Sequence, residues 1–311
     1  MKRSIHVFSV IVASSTFILL IAGGLVTSND AGLAVPDWPL SYGSWMPPMV
    51  GGIFYEHGHR IIAASVGLMT LLLCVALFMT RTPRWMRVLG VTTLITVILQ
   101  GILGGITVRY QLPLAISVIH ACLAQIFFCL TTSLALFSSR TWSRGWDIPT
   151  SLTYTLGPRA ILLTSSILIQ LILGALLRHT GVVDGSKAGR LVSWVVIAHI
   201  LGAIIVTVLV LRVGVMLLRH FEEGLLYQLG VALLSLLVVQ VSLGVGSFWV
   251  RLKAMEWVQP LPLDTWITTS HLAVGALMLV TSLLVIFCLK NRHNNSTPLS
   301  VGFTVLTVVF K

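Results

Sequence analysis

Residues 56–60, Glu56-His57-Gly58-His59-Arg60, place a carboxylate, two imidazoles and a guanidinium within five positions. A carboxylate can take a proton, an imidazole can move one or ligate a metal, and a guanidinium binds carboxylates through paired donors. The chain turns apolar immediately afterwards, from Ile61 to Met79. Ionisable groups at the mouth of a membrane span are functional candidates. On a helix Glu56 and His59 are i and i+3 and share a face, whereas His57 is rotated about 200° from His59. One acid and one imidazole then look into the same space, and His57 has no assigned role.

Three further histidines, His120, His199 and His271, lie inside apolar runs. A neutral imidazole keeps a donor and an acceptor that hydrocarbon cannot satisfy, so each needs a partner. Counted from Pro113, Arg190 and Asp264, these three sit roughly 10 to 13 Å into their spans at about 1.5 Å per residue; His59 lies nearer the start of its own. Two imidazoles on facing helices at matching depth can bind opposite faces of a haem iron, with the flat macrocycle filling the apolar interior. A single histidine in a span is usually a hydrogen-bonded packing residue, but four at related positions favour ligation. Small neighbours such as Gly58, Ala121, Gly202 and Gly275 leave room for a ring. Zinc or copper fits less well, because these half-spans offer no thiolate and few carboxylates. His6, His220 and His293 read as solvated or interfacial. His179, beside Arg178, reads as a surface residue, with a propionate contact as the alternative.

The elements that must position these groups are membrane spans. The chain has 311 residues, 56% hydrophobic and only 9% charged, against roughly 25% charged in a soluble domain. Apolar runs of spanning length occur at 1–27, 57–79, 88–108, 113–137, 160–177, 191–217, 226–249 and 265–289. The opening run reads as a retained first helix rather than a cleaved signal. The tail 299–310 is apolar but too short to cross and reads as interfacial. The net charge of +11 comes from short basic clusters between the spans. That pattern is topogenic, predicts both termini on the cytoplasmic side, and does not predict nucleic-acid binding. Cys74, Cys122, Cys129 and Cys288 all fall inside apolar runs and read as packing residues. The segment 28–55 is the longest outer loop, rich in proline, glycine and aromatic residues, and reads as an ordered lid at the interface.

An internal similarity orders the spans. Gln100-Gly-Ile-Leu-Gly104 near the end of the third resembles Gln240-Val-Ser-Leu-Gly244 near the end of the seventh, and the same shift carries His59 onto His199. Ser117-Val-Ile-His120 likewise resembles Thr268-Thr-Ser-His271. The expected fold is therefore an all-α polytopic membrane protein, with eight transmembrane helices as two tandem four-helix bundles related by a parallel repeat. The expected division is 1–137 for the first bundle, 138–159 for a cytoplasmic linker, 160–290 for the second bundle and 291–311 for the tail.

The stretches Gly23-Gly24-Leu-Val-Thr27, Gly32-Leu-Ala-Val-Pro-Asp-Trp-Pro-Leu40 and Glu56-His-Gly-His-Arg60, with the span histidines at 120, 199 and 271, resemble the haem A synthase family of cytochrome oxidase assembly proteins. The resemblance covers nearly the whole chain. It implies conversion of haem O to haem A by oxidation of the C8 methyl group to formyl, with a haem b cofactor. It also implies that His59 and His120 bind the substrate haem, that His199 and His271 bind haem b, and that Glu56 is the catalytic carboxylate. Arg60 would pair with Glu56 or with a haem propionate, and Asp37 and Trp38 would line the entrance. Expected partners are a haem O synthase that delivers substrate, a membrane electron acceptor and cytochrome oxidase assembly factors, in a bacterial inner membrane. Some family members carry a cysteine pair in an outer loop; this chain has none and resembles the members without it. Two rival readings stay open from the residues alone. One is a non-catalytic di-haem b-type electron carrier working with quinone, and the other is a repeat-built transporter.

Overall fold

The computed structural model describes residues 3–180, 187–253 and 262–291. The apolar tail 299–310, His293 and several charged residues of the outer loops, Asp184 and Glu256 among them, lie outside the described residues. Within the described residues the secondary structure is helical: α1 (Arg3–Ser28), α2 (Gly51–Met79), α3 (Arg84–Arg109), α4 (Leu114–Phe137), α5 (Arg140–Arg144), α6 (Thr150–His179), α7 (Lys187–His220), α8 (Gly224–Lys253) and α9 (Pro262–Lys290). Eight of these, all but the short α5, are long and apolar enough to cross a membrane. The shortest, the 24-residue α4, extends about 36 Å, more than the ~30 Å of a bilayer's hydrocarbon. The chain is an integral, multi-pass membrane protein.

Backbone polar groups must be satisfied internally in lipid, which makes helices the natural solution. Their hydroxyl side chains follow the same rule: those of Thr16, Thr70, Thr93 and Ser133 donate to the carbonyl one turn earlier, within 2.6–2.8 Å. Proline sets three of the helix starts, since Pro83, Pro113 and Pro149 stand at the N-caps of α3, α4 and α6. A proline there sacrifices no helical hydrogen bond and supplies a suitable φ.

Two starts differ from the apolar runs. The second helix begins at Gly51, whose left-handed φ of 53° turns the chain out of the loop. Glu56 to Arg60 thus lie inside α2, not at its mouth. The fifth spanning helix begins at Thr150, because polar residues can continue a helix past the hydrocarbon edge. The segment between the two sets of spans is correspondingly shorter and contains α5, capped by the hydroxyl of Ser139, which accepts from the Trp142 amide at 3.0 Å.

Helices α1 to α4 contact one another in a closed ring, each against the next and α4 against α1; α6 to α9 do the same. The rings meet where α1 and α4 pack against α6 and α9. Helix α9 lies deepest: Val285, Phe287 and Cys288 are fully buried near its end. By contrast α2 and α7 present rows such as Leu68, Leu71, Leu72 and Val75, or Ile197, Leu201, Ile204 and Val208, outward. An apolar face that continuous belongs against lipid. At the α5 end, Phe137 packs on Trp85, Trp142 and Phe287, with ring centroids 4.5 to 5.3 Å apart. Asn291 fastens this cluster, donating to the Trp142 carbonyl at 2.7 Å and accepting from the Trp146 amide at 3.2 Å. His6 sits at the same end. Rather than being solvated, it is half-buried with Nδ1 3.1 Å from the Ala135 carbonyl, because α1 and α4 close over it.

Candidate functional site

The opposite end of the bundle carries the 29–50 loop and the four span histidines. The loop is ordered by its own polar groups. Asp37 accepts from the Tyr42 and Gly43 amides at 2.6 and 2.8 Å, and these bonds, the Gly43 amide foremost, hold its carboxyl below the usual range. That clasp, with Tyr42 Oη donating to the Ala34 carbonyl at 2.7 Å, keeps Tyr42 at a left-handed φ of 53°. Trp38 lays its ring on Gly105 of α3, where a Cβ would meet it at 2.8 Å. Trp45 and Met46 at the loop tip are exposed, a suitable pair for resting on a bilayer surface.

Glu56 is 4% exposed and reaches into this loop. Its Oε2 accepts from the Val35 amide at 2.8 Å, and its Oε1 pairs with Arg60 Nη2 at 2.5 Å. Arg60 spends its other donors on the carbonyls of Asp37 and Leu40, at 2.7 and 2.9 Å. A buried ion pair is tolerable when such extra bonds satisfy both partners. His57 is buried as well, with Nδ1 2.8 Å from the Ser41 hydroxyl. The acid, the guanidinium and the unassigned imidazole therefore form one clamp between α2 and residues 35–41. No sequence signal pointed to Val35 or Ser41, because the link is tertiary.

The four span histidines share a different arrangement. His59, His120, His199 and His271 are the ninth, seventh, thirteenth and tenth residues of α2, α4, α7 and α9. Each ring rests on a glycine of the preceding long helix. A Cβ built on Gly23, Gly104, Gly174 or Gly244 would lie 3.1, 3.6, 3.3 or 3.1 Å from the Cε1 of the respective imidazole. All four Nδ1 atoms are sealed from solvent without a hydrogen-bond partner, although the residues as a whole are only half-buried. That leaves Nε2 as the ring nitrogen open to a ligand. His199 and His271 face each other with ring centroids 6.5 Å apart and planes at 68°. His59 and His120 are close enough for the charge of one to bear on the other.

The glycines and one glutamine extend what the sequence suggested. Gln100-x-x-x-Gly104 and Gln240-x-x-x-Gly244 have a third counterpart, Gln170-x-x-x-Gly174 on α6. The side-chain amides of Gln100 and Gln170 donate to the backbone carbonyls of His120 and His199, at 3.0 and 2.7 Å. A search for that spacing on every span would have found Gln170.

Between the two histidine pairs runs a polar seam. The Ser28 hydroxyl meets those of Thr268 and Thr269 at 3.0 Å each, and Arg178 Nη2 donates to it at 2.5 Å and to the Gly24 carbonyl at 2.7 Å. His179 is not a surface residue: it is half-buried there, within electrostatic reach of His120. His220 is exposed and bonds locally to the Met216 carbonyl at 2.8 Å.

The donor set fits a bis-imidazole iron site. Two metal–nitrogen bonds of about 2 Å, plus the half-ring from each nitrogen to its centroid, make a span close to the 6.5 Å between His199 and His271. Glycine under each ring removes the side chain that would otherwise compete for the space.

No protein-family model matches the chain. Curated relatives do. The chain is 25% identical to a heme A synthase of Geobacillus thermodenitrificans, over 96% of this chain and 95% of that one. It is 26% identical to a heme A synthase of Shewanella oneidensis, over 91% and 96% respectively. A heme A synthase of Listeria monocytogenes is 30% identical over 41% of this chain and 42% of its own. The chain is thus similar over nearly its whole length to proteins that share the name heme A synthase, and it carries eight spans and four glycine-seated histidines.

Proposed function

We propose that the chain is a membrane oxidoreductase of haem A biosynthesis that converts haem O to haem A, oxidising the C8 methyl group to formyl. The observation that carries this reading is the seating of four imidazoles on four glycines, each with Nδ1 sealed. His199 and His271 would hold haem b in the ring α6 to α9, and His59 and His120 would hold haem O in the ring α1 to α4. The bound haem b supplies a one-electron redox centre beside the substrate.

The chain's own groups do the rest. Glu56 takes protons released at the methyl carbon, and its pairing with Arg60 keeps it aimed. Each carboxylate oxygen in that clamp keeps a further lone pair for a proton. Trp38 lies on Gly105, next to the Gly104 that seats His120, so that residues 29–50 would keep bulk water from the first histidine pair. With an external acceptor the conversion balances as CH3 + H2O → CHO + 4 H+ + 4 e−, so water supplies the formyl oxygen and the electrons leave to a membrane acceptor. Haem O arrives from a haem O synthase, and the product passes to cytochrome oxidase assembly factors. The setting is a bacterial inner membrane, with both termini cytoplasmic.

The test is an absorption spectrum and pigment extraction on detergent-purified protein. Haem B together with haem O or haem A is expected; a colourless protein overturns the reading. A second reading, a non-catalytic di-haem electron carrier, gains from one observation: both Glu56 oxygens already serve in holding the loop. Glu56→Gln separates the two. Normal haem content with lost haem A output supports the enzyme, and normal output removes Glu56 from the chemistry.

A further inference from the structure

The glutamines of α3, α6 and α8 stand one turn before the glycines that seat His120, His199 and His271. Gln100 Nε2 donates to the His120 carbonyl at 3.0 Å, and Gln170 Nε2 to the His199 carbonyl at 2.7 Å. The second notch is reciprocal. Gln170 Oε1 occupies the place that a Cβ on Gly202 would need, and Gln240 Nε2 lies 3.3 Å from the corresponding point on Gly275. Gly202 and Gly275 are each one turn after the histidine on the same helix. In the α6–α7 and α8–α9 pairs, then, the amide of one helix fills a glycine notch of the next, and the next helix's imidazole fills a notch of the first.

The fourth pair breaks the pattern. Helix α1 has Leu19 one turn before Gly23, and leucine offers no donor. What holds the start of α2 is instead the Glu56–Arg60 clamp to the loop.

We infer that Gln100, Gln170 and Gln240 are positioning residues that pin the histidine-bearing backbones, and that His59, which lacks such a clasp, is the imidazole that releases an iron tetrapyrrole. In the second pair both histidine helices are held, α7 by the Gln170 bond to the His199 carbonyl and α9 by Gln240 seated in the Gly275 notch, and that pair retains its macrocycle; in the first only α4 is held, by Gln100, and that pair exchanges it. This rests on tetrapyrrole ligation by the four histidines, with substrate at the first pair, and adds the ring through which that pair lets go and the glutamines that hold the other three.

The experiment measures transfer of haem from purified full-length protein to an excess of a haem-scavenging apoprotein, together with the spin state seen by absorption spectroscopy. The unaltered protein should lose haem in a fast and a slow phase, with His59→Ala abolishing only the fast one. Leu19→Gln should slow the fast phase about three- to tenfold, the worth of one hydrogen bond. Gln170→Met and Gln240→Met should hasten the slow phase by a similar factor and move the spectrum from low-spin bis-imidazole towards high-spin. A purely structural role would lower yield and thermal stability without changing the spin state. A single phase, or a fast phase unmoved by Leu19→Gln in protein of normal haem content, overturns the inference. If Leu19→Gln does not fold, unchanged spectra and slow-phase rates in the two methionine variants overturn it. Absence of haem from the unaltered protein defeats the ligation reading itself, a result distinct from either.

Discussion

Glu56 and Arg60 stand one helical turn apart, joined by a 2.5 Å ion pair, and both reach away from the bundle into the same short stretch of loop. Val35 donates to the acid, while Asp37 and Leu40 accept from the base. Removing either charge strands the other in a buried position. Glu56→Gln should therefore destabilise the protein by about 3–5 kcal/mol, and Glu56→Gln with Arg60→Met by less than the two single changes together. Thermal unfolding in detergent checks this.

The two histidine pairs should differ in what their loss does. His199→Ala or His271→Ala should abolish the b-type absorption of the purified protein, because one imidazole cannot hold the iron from both faces. His59→Ala or His120→Ala should leave that absorption in place and remove the haem O and haem A from the extracted pigment.

The glycine seats make graded predictions. Alanine at Gly23 or Gly244 puts a methyl 3.1 Å from an imidazole carbon, whereas at Gly104 the gap is an ordinary 3.6 Å. Gly23→Ala and Gly244→Ala should cost about 1–3 kcal/mol or shift the ring they touch, and Gly104→Ala should be nearly neutral. Unfolding curves and electron paramagnetic resonance of the oxidised protein would register the difference.

Loop order should depend on acidity through Asp37. Its folded carboxyl is depressed by the Gly43 and Tyr42 amides, so the clasp contributes stability above the carboxyl's unfolded pKa and loses it as pH falls through the folded one. Proteolysis within residues 29–50 should rise on acidification, and Asp37→Asn should remove that rise.

Periodic and compositional features were legible from the chain alone. The spans are announced by apolar runs, and the four histidines by being polar residues that hydrocarbon cannot accommodate. Helix starts were not, since Gly51 and Thr150 lie in polar or glycine-rich sequence whose helicity depends on what packs above it. The partner of Glu56 was half visible: Arg60 is i+4 on the same helix, but Val35 comes from 21 residues away. Gln170 escaped for another reason. Its counterpart on α1 is Leu19, so a comparison of the two halves has nothing there to align. His6 and His179 looked peripheral because charge and chain position suggest a surface, and only the packing of α1 on α4 and of α6 on its neighbours encloses them.

The two quartets are sewn together at both extremities, by Ser28, Arg178 and Thr269 at one and by Trp142 and Asn291 at the other. They cannot swing apart like the covers of a book. A tetrapyrrole held as proposed would therefore pass sideways, from the lipid, between the outward-facing helices of a single quartet rather than through that join.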